Sequence, residues 1–208
     1  GAMSPQDQDA AIAPSPAGRR KVVLATSIAE TSLTIEGVRI VVDSGLARRP
    51  RYEPGIGLTR LETARASKAA ITQRAGRAGR LEPGVCWRLW SEGETRALPD
   101  FDRPEILDAD LSGLALDLAA WGVRDPASLT WLDPPPKPAW NEALAMLTRV
   151  GALDATGALT SHGHALARLP LPPRLAHMVL AAGEYAALAA RIAVLLTEQG
   201  LGGRGADL

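Results

Sequence analysis

Residues 73–80 read QRAGRAGR, so that three arginines and two glycines lie within eight positions. On a helix, Gln73, Arg77 and Arg80 stand at positions i, i+4 and i+7, which share one face. Each glycine costs about 1 kcal/mol relative to alanine in a helix, a cost that a sequence accepts where another backbone or a ligand comes close. Two guanidinium groups that stay protonated suit the oxygens of a triphosphate, and the amide can orient a water molecule. The alternative is an arginine-rich surface helix with ordinary ion pairs.

The charge of the chain is divided unevenly, although its formal net charge is zero. Residues 39–80 contain ten Lys or Arg against three Asp or Glu, whereas residues 81–142 contain five against twelve. A basic block beside an acidic block is typical of a surface that meets phosphates next to a surface that does not. Two solvated faces are the alternative interpretation.

The composition limits the class of protein. With 208 residues, 46% of them hydrophobic, the chain can hold one large domain or two small ones. No apolar run has the length of a membrane-spanning helix and no signal peptide is recognisable, so we expect no membrane partner. Cys86 is the single cysteine, which excludes an internal disulfide and favours a cytoplasmic location. We interpret residues 1–3 (GAM) as an expression scar.

The first half of the chain predicts an α/β domain with a parallel sheet. Short β-branched runs without alternation are typical of strands that are buried on both faces of such a sheet. Three segments have this character: residues 21–26, 38–45 and 84–90. Residues 4–20 predict a short helix that begins at Ser4.

A hairpin and a helix are predicted between these strands. Residues 46–63 hold two strand-like stretches around an EPGIG turn, which predicts a β-hairpin. Four arginines lie on this hairpin: Arg48, Arg49, Arg51 and Arg60. Residues 67–80 predict a helix with Ser67 as its N-cap.

Leucine- and alanine-rich helices prevail in the second half. Trp140, Leu144 and Leu147 stand at helical spacing, a small hairpin follows, and Ser161 is expected to cap the next helix. Helix, hairpin and helix together predict a winged-helix domain in residues 101–170, and residues 171–208 predict the first helices of a bundle. Three tryptophans in apolar helical context are interpreted as core anchors: Trp121, Trp131 and Trp140.

Two long segments resemble motifs of a known family. Residues 25–38 (ATSIAETSLTIEGV) and 65–80 (RASKAAITQRAGRAGR) resemble motifs V and VI of DEAH-type superfamily-2 helicases. Further phrases, such as WLDPPP and GALDATGALTSHGHALARLPLPP, extend the resemblance over nearly the whole chain, with the bacterial members most similar. It implies the C-terminal part of such a helicase: a partial second RecA-like domain in residues 4–100, a winged-helix domain in 101–170 and the start of a helical ratchet domain in 171–208.

The resemblance also implies roles for individual residues. Arg77 and Arg80 would be arginine fingers on the γ-phosphate, and Gln73 would hold the attacking water. Three residues of motif V would contact the nucleotide: Ser32, Thr34 and Glu36. Five residues would contact the nucleic-acid strand, the last three on the hairpin, which would act as a wedge: Thr26, Ser27, Arg48, Arg49 and Arg51.

Two motifs of the family do not occur in these 208 residues, namely the GxxxxGK[ST] phosphate loop and the DExH segment. In the family both belong to the first RecA-like domain, where they bind ATP and Mg²⁺. The resemblance therefore implies an ATP-dependent helicase that acts on single-stranded nucleic acid, RNA favoured over DNA, and whose site is completed by an N-terminal RecA-like domain. The chain alone is expected to be inactive and to bind no cofactor tightly.

A non-enzymatic protein is the alternative. A winged-helix module could bind nucleic acid through the arginine hairpin without any nucleotide chemistry. No metal site is predicted in either case, because His162 and His164 lack partners at ligand spacing.

Overall fold

The structure of the chain is a computed structural model. It describes residues 4–26, 30, 35–80 and 82–198. The chain divides into two compact units, which are residues 1–53 with 59–103, and residues 54–58 with 104–208. The division into three domains stays a prediction.

Two parallel strands and a helix form the centre of the first unit. Strand β1 (Ile40–Asp43) pairs in parallel with strand β4 (Val85–Arg88), so that Ile40 lies opposite Val85 and Asp43 opposite Arg88. Parallel strands need a long connection, and here it contains a hairpin and a helix. The strands predicted within residues 38–45 and 84–90 are thus confirmed.

The predicted burial of these strands is wrong. More than half of the surface of four of their side chains is exposed: Ile40, Val42, Val85 and Trp87. The reason is that the sheet has only two strands among the described residues, and no described element covers the face that carries these four side chains.

The strand predicted at residues 21–26 is also wrong. These residues have no regular secondary structure, and Val22 and Leu24 are almost fully exposed. A β-branched run becomes a strand only when a neighbouring strand accepts and donates its backbone hydrogen bonds. The described residues provide no such neighbour for this segment.

The predicted hairpin is confirmed and extends slightly further. Strand β2 (Leu46–Glu53) and strand β3 (Leu58–Arg65) are hydrogen-bonded neighbours, and residues 54–57 form the turn between them. Gly57 has a φ of +66°, a conformation that glycine adopts without strain.

Helix α2 (Lys68–Ala75) follows the hairpin. Ser67 is its N-cap, as predicted, and the hydroxyl accepts a hydrogen bond of 3.1 Å from the Ala70 amide. The amides of Lys68 and Ala69 donate to the carbonyls of residues 99 and 100, so the start of the helix is held by the rest of the unit. The helix predicted to reach residue 80 instead tightens into a 3₁₀-helix at Gly76–Gly79.

Short helices begin and end this unit. Helix α1 (Pro5–Ile12) begins after Ser4, whose hydroxyl accepts from the Asp7 amide as the sequence predicts. Helix α3 (Glu92–Ala97) begins at Ser91, which forms a reciprocal capping box with Glu94.

The second unit is helical. Its α-helices are α4 (Ser112–Ala120), α5 (Lys137–Arg149), α6 (Ser161–Ala167), α7 (Pro173–Ala181) and α8 (Ala186–Thr197). A single apolar core joins α4 to α7, with Leu147, Ala152, Leu166 and Ala176 at its most buried positions. An antiparallel bridge between Leu153 and Leu159 lies between α5 and α6, which gives the helix–wing–helix order that the sequence predicts.

Two details of this unit correct the sequence analysis. Thr160, rather than Ser161, caps α6, because its hydroxyl accepts from the Gly163 amide at 2.9 Å. Trp121 is 77% exposed and is not a core anchor, since it lies at the end of α4 beside Gly122, where the chain turns at a φ of +85°. Trp140 is buried as predicted, and the half-buried Trp131 donates its indole N–H to the Pro126 carbonyl.

None of the described helices is by itself long and apolar enough to cross a membrane. Only α7 taken together with residues 183–197 meets that test of length and composition, and this pair is bent by 117°.

The small hairpin closed by the Leu153–Leu159 bridge contains a carboxyl group with a lowered pKa. Asp154 accepts hydrogen bonds from the Thr156 hydroxyl and from the amides of Ala158 and Thr156, which lower the pKa of its carboxyl below the ordinary value of 3.8. Because the pKa of Asp154 is lower in the folded chain than in the unfolded chain, its ionised carboxylate stabilises the fold fully above pH 3.8. This stabilisation is lost as the pH falls through the pKa of the folded state. In thermal denaturation, Asp154→Asn should lower the melting temperature of the second unit at neutral pH and reduce its dependence on acid. An unchanged acid dependence would contradict this.

Candidate functional site

Arg74, between Gln73 and Arg77 in sequence, is the centre of a network of partly buried charges. Its guanidinium group donates to the Glu30 carboxylate, with Nε 2.7 Å and Nη2 2.5 Å from Oε1. Its Nη1 donates to Oδ1 of Asp43 and to the Leu46 carbonyl, both at 3.0 Å. Burial alone would lower the pKa of Arg74, but the hydrogen bonds and charges of Glu30 and Asp43 outweigh it and raise the pKa.

Asp43 is the most buried acid of this network. It stands at the end of β1 with 3% of its side chain exposed. Its Oδ1 accepts from Arg74 and from the Gly45 amide at 2.9 Å, while its Oδ2 has no hydrogen-bond partner among the described residues. The carboxylate therefore depends on Arg74 as its charged partner.

Arg77 lies one turn further along. It is half-buried, and its Nη2 donates to the backbone carbonyl of Glu30. Burial lowers the pKa of Arg77, and the positive charge of Arg80 lowers it further. Arg80 and Gln73 are exposed. The positive charges of Arg77 and Arg80 are thus close enough at the exposed end of this motif to repel each other.

Packing against the described residues does not explain the two glycines of the motif. Gly76 has an ordinary helical φ of −63°, and Gly79 has no positive φ. A side chain at either position would meet no described atom within 4 Å. Among the residues that the structure describes, none therefore fills the space beside the arginines at these two positions.

The other predicted site residues are placed as follows. Thr26 and Glu36 are exposed, whereas Ser27, Ser32 and Thr34 lie outside the described residues. On the hairpin, Arg49 pairs with Asp102 and Arg51 lies 3.4 Å from Glu62. These carboxylates offset part of the positive charge that the sequence concentrates there.

Arg48 differs from its hairpin neighbours. Its Nη2 donates a hydrogen bond of 3.4 Å to the Leu61 carbonyl, which is a neutral acceptor. Of the three hairpin arginines assigned to the strand, its charge is therefore the best suited to a phosphate.

Sequence reasoning missed Glu30, Asp43 and Arg74. A signal for Arg74 was present, because it stands three residues after Ile71 and four before Ala78, on the buried side of the helix. An arginine on that side requires a carboxylate partner. Which carboxylates these are cannot be read from local spacing, because Glu30 and Asp43 lie 44 and 31 residues away.

The described residues contain no group of three or more His, Cys, Asp or Glu side chains placed to hold a metal ion. His162 instead contacts His177, with Nε2 2.9 Å from Nδ1. The half-buried His177 thus joins α7 to α6.

Known domain families match part of each unit. Residues 1–82 match the helicase conserved C-terminal domain, and residues 143–171 match the winged-helix helicase-associated domain HA2. The ATP-dependent RNA helicase HrpB of Escherichia coli is 50% identical over 200 residues, which are 95% of this chain and 25% of that protein. The probable ATP-dependent RNA helicase DHX34 of Mus musculus is 42% identical over 86% of this chain and 16% of its own length.

Solved structures agree with these assignments. A crystal structure of the E. coli DEAH/RHA helicase HrpB matches 98% of this chain and 26% of its own, with a TM-score of 0.91 and 49% identity. The chain thus spans about a quarter of the length of HrpB, and the predicted similarity to bacterial members is confirmed. From the two matched domains and this common fold, we conclude that the chain belongs to the DEAH-type helicases, of which it carries RecA-like C-terminal and winged-helix parts.

Proposed function

We propose that this chain supplies the arginine fingers of an ATP-dependent RNA helicase. Arg77 and Arg80 contact the γ-phosphate of an ATP molecule that is bound mainly by another RecA-like domain, and Gln73 holds the attacking water. The guanidinium groups neutralise the charge that develops as the phosphoryl group leaves. HrpB and DHX34 are named as ATP-dependent RNA helicases, which supports ATP as the nucleotide.

The open space at Gly76 and Gly79 is the observation that carries this proposal. A glycine in a helix costs about 1 kcal/mol relative to alanine. Neither the φ values nor the described neighbours of these residues account for that cost. In this proposal the nucleotide-bearing domain approaches the chain at these two glycines, and the positive charges of Arg77 and Arg80 beside them face the phosphates that it carries.

The phosphate loop and the DExH segment, which this chain does not contain, belong to the partner domain in this proposal. They hold the β- and γ-phosphates and the Mg²⁺ ion. Ser32, Thr34 and Glu36 complete the nucleotide contacts. The chain alone should therefore show no ATPase activity. ATP hydrolysis by the purified 208-residue chain above background would mean that the ATPase site lies elsewhere.

The strand contacts of the proposal are electrostatic. Thr26 and Ser27 hold backbone phosphates, and the hairpin with Arg48, Arg49 and Arg51 lies near the strand. Because Arg49 and Arg51 already have carboxylate partners, the hairpin is a weak basis for the alternative of a winged-helix module without nucleotide chemistry. RNA is the proposed strand, and the cytoplasm stays the predicted compartment.

Alanine at the two glycines tests the proposal. In the full-length protein, Gly76→Ala and Gly79→Ala should lower RNA-stimulated ATP hydrolysis by about tenfold or more, because a methyl group enters the space reserved for the nucleotide-bearing domain. In urea denaturation of the 208-residue chain, each change should leave stability equal or higher, by up to about 1 kcal/mol.

Gly93→Ala is the matched control. Its methyl group would meet only the Ser91 hydroxyl, at 3.9 Å, on helix α3 of the same unit. It should change neither property beyond the helix-propensity gain. Full ATPase activity in both motif variants would contradict the proposal.

A further inference from the structure

Arg74 and Arg77 share Glu30. Arg74 holds the Glu30 carboxylate, and Arg77 donates to the backbone carbonyl of the same residue. On its other side Arg74 holds Asp43 at the end of β1 and the Leu46 carbonyl at the start of β2. Arg74 thus links Asp43, at the buried end of β1, to Glu30, whose carbonyl accepts a hydrogen bond from Arg77.

Stability is a poor explanation for this arrangement. Removing charges from water costs several kcal/mol per ion, so a buried ion pair often stabilises a fold no better than apolar residues of similar volume. The Arg74 side chain is 15% exposed, and those of Glu30 and Asp43 are 13% and 3% exposed. What the ion pairs add is a fixed orientation of the side chains, because the planar guanidinium group holds its acceptors in a fork-like geometry.

We infer that Arg74 is a positioning residue that sets the placement of the Arg77 guanidinium through Glu30. The inference rests on the proposed function as far as ATP is concerned, since Arg77 is a finger only under that proposal. The placement itself is a property of this chain. Arg74 does not contact the nucleotide; it fixes Glu30, and Glu30 limits the positions that Arg77 can take.

Two substitutions distinguish the effect of the hydrogen-bond geometry of Arg74 from the effect of its charge. Arg74→Lys keeps the positive charge but loses the fork that reaches Glu30 and Asp43 together. Glu30→Gln keeps an acceptor oxygen and the backbone carbonyl but weakens the tie to Arg74. Arg96→Ala is the control, because Arg96 forms an exposed pair with Glu92 at 3.3 Å.

The first measurement needs no nucleotide. Arginine-specific labelling of the 208-residue chain with phenylglyoxal, followed by mass spectrometry, compares Arg77 with the exposed Arg80. In the unmodified chain Arg77 should react more slowly than Arg80. Arg74→Lys and Glu30→Gln should each speed the labelling of Arg77 several-fold while leaving Arg80 unchanged. Equal rates for Arg77 in both variants and the unmodified chain would overturn the inference.

Unfolding has a different signature. It would raise the labelling of Arg49 as well as that of Arg77, because Arg49 is paired with Asp102, has a side chain that is only 27% exposed and does not contact Arg74 or Glu30. If Arg74→Lys behaves in that way, Glu30→Gln decides, since it retains every backbone contact.

The second measurement is a kinetic double-mutant cycle in the full-length protein. Arg74→Lys should lower kcat for ATP hydrolysis between about 10- and 100-fold, since a displacement of about 1 Å can cost that much, with little change in KM. In an Arg77→Ala background the same change should have an effect of less than about twofold, because the residue it acts through is gone. Independent, multiplicative losses would overturn the inference. An inactive unmodified protein would instead remove the proposed function and leave the labelling result to judge Arg74.

Discussion

Arg77→Ala in the full-length protein is expected to lower the turnover of ATP by about 10³-fold or more, the range that arginine fingers contribute to phosphoryl transfer. The loss should fall on kcat, because Arg77 acts on charge that develops in the transition state. Binding of single-stranded RNA should change little, since strand contacts are assigned to other residues. Arg80→Ala should have an effect of the same kind.

Steady-state ATP hydrolysis with saturating RNA measures this effect. Arg96→Ala serves as the control, because Arg96 is as positively charged as Arg77 but lies on the exposed surface of α3 with 79% of its side chain accessible. It should retain the unmodified rate. Unmodified turnover in the Arg77→Ala protein would remove the finger assignment.

Gly84→Ala is expected to have the largest effect on stability. A Cβ atom at Gly84 would lie 1.7 Å from the backbone oxygen of Ala78 and 2.7 Å from that of Arg39. Neither oxygen belongs to a flexible side chain, so the 3₁₀-helix or the start of β4 must move. Overpacking of this kind costs about 3 kcal/mol or more.

Urea denaturation of the 208-residue chain, followed by probes in each unit, measures this loss. The unfolding of the first unit should shift to lower urea, while the second unit unfolds as before and serves as an internal reference. Gly93→Ala controls for the added methyl group. A first unit of unchanged stability would mean that Gly84 does not approach Ala78 as described.

Much of this fold is encoded locally, and that part could be predicted. Ser4 and Ser67 are N-caps because their hydroxyls accept from amides a few residues ahead. The turn around Gly57 and the positive φ at Gly151 follow from a glycine that stands where a strand-like or helical pattern ends.

Properties that depend on distant residues could not be predicted. Residues 21–26 and residues 38–45 are both β-branched runs. Only the second run forms a strand in the described structure, because Ile40 finds a partner in Val85. The common face of Gln73, Arg77 and Arg80 stays a prediction, because the helix tightens at Gly76 and Arg77 is half-buried whereas the other two are exposed. The partners of Arg74 lie far away in sequence, so its role emerged only from the structure.

A crystal structure of the full-length protein with ADP, aluminium fluoride and Mg²⁺, which together mimic the phosphoryl group in transfer, tests whether Arg77 and Arg80 are arginine fingers. The quantity to measure is the distance from the Arg77 and Arg80 guanidinium nitrogens to the fluoride ligands. We expect both groups within hydrogen-bonding distance, about 3 Å. Guanidinium groups that remain turned toward this chain's own oxygens, with the fluoride neutralised by other residues, would show that Arg77 and Arg80 are not arginine fingers.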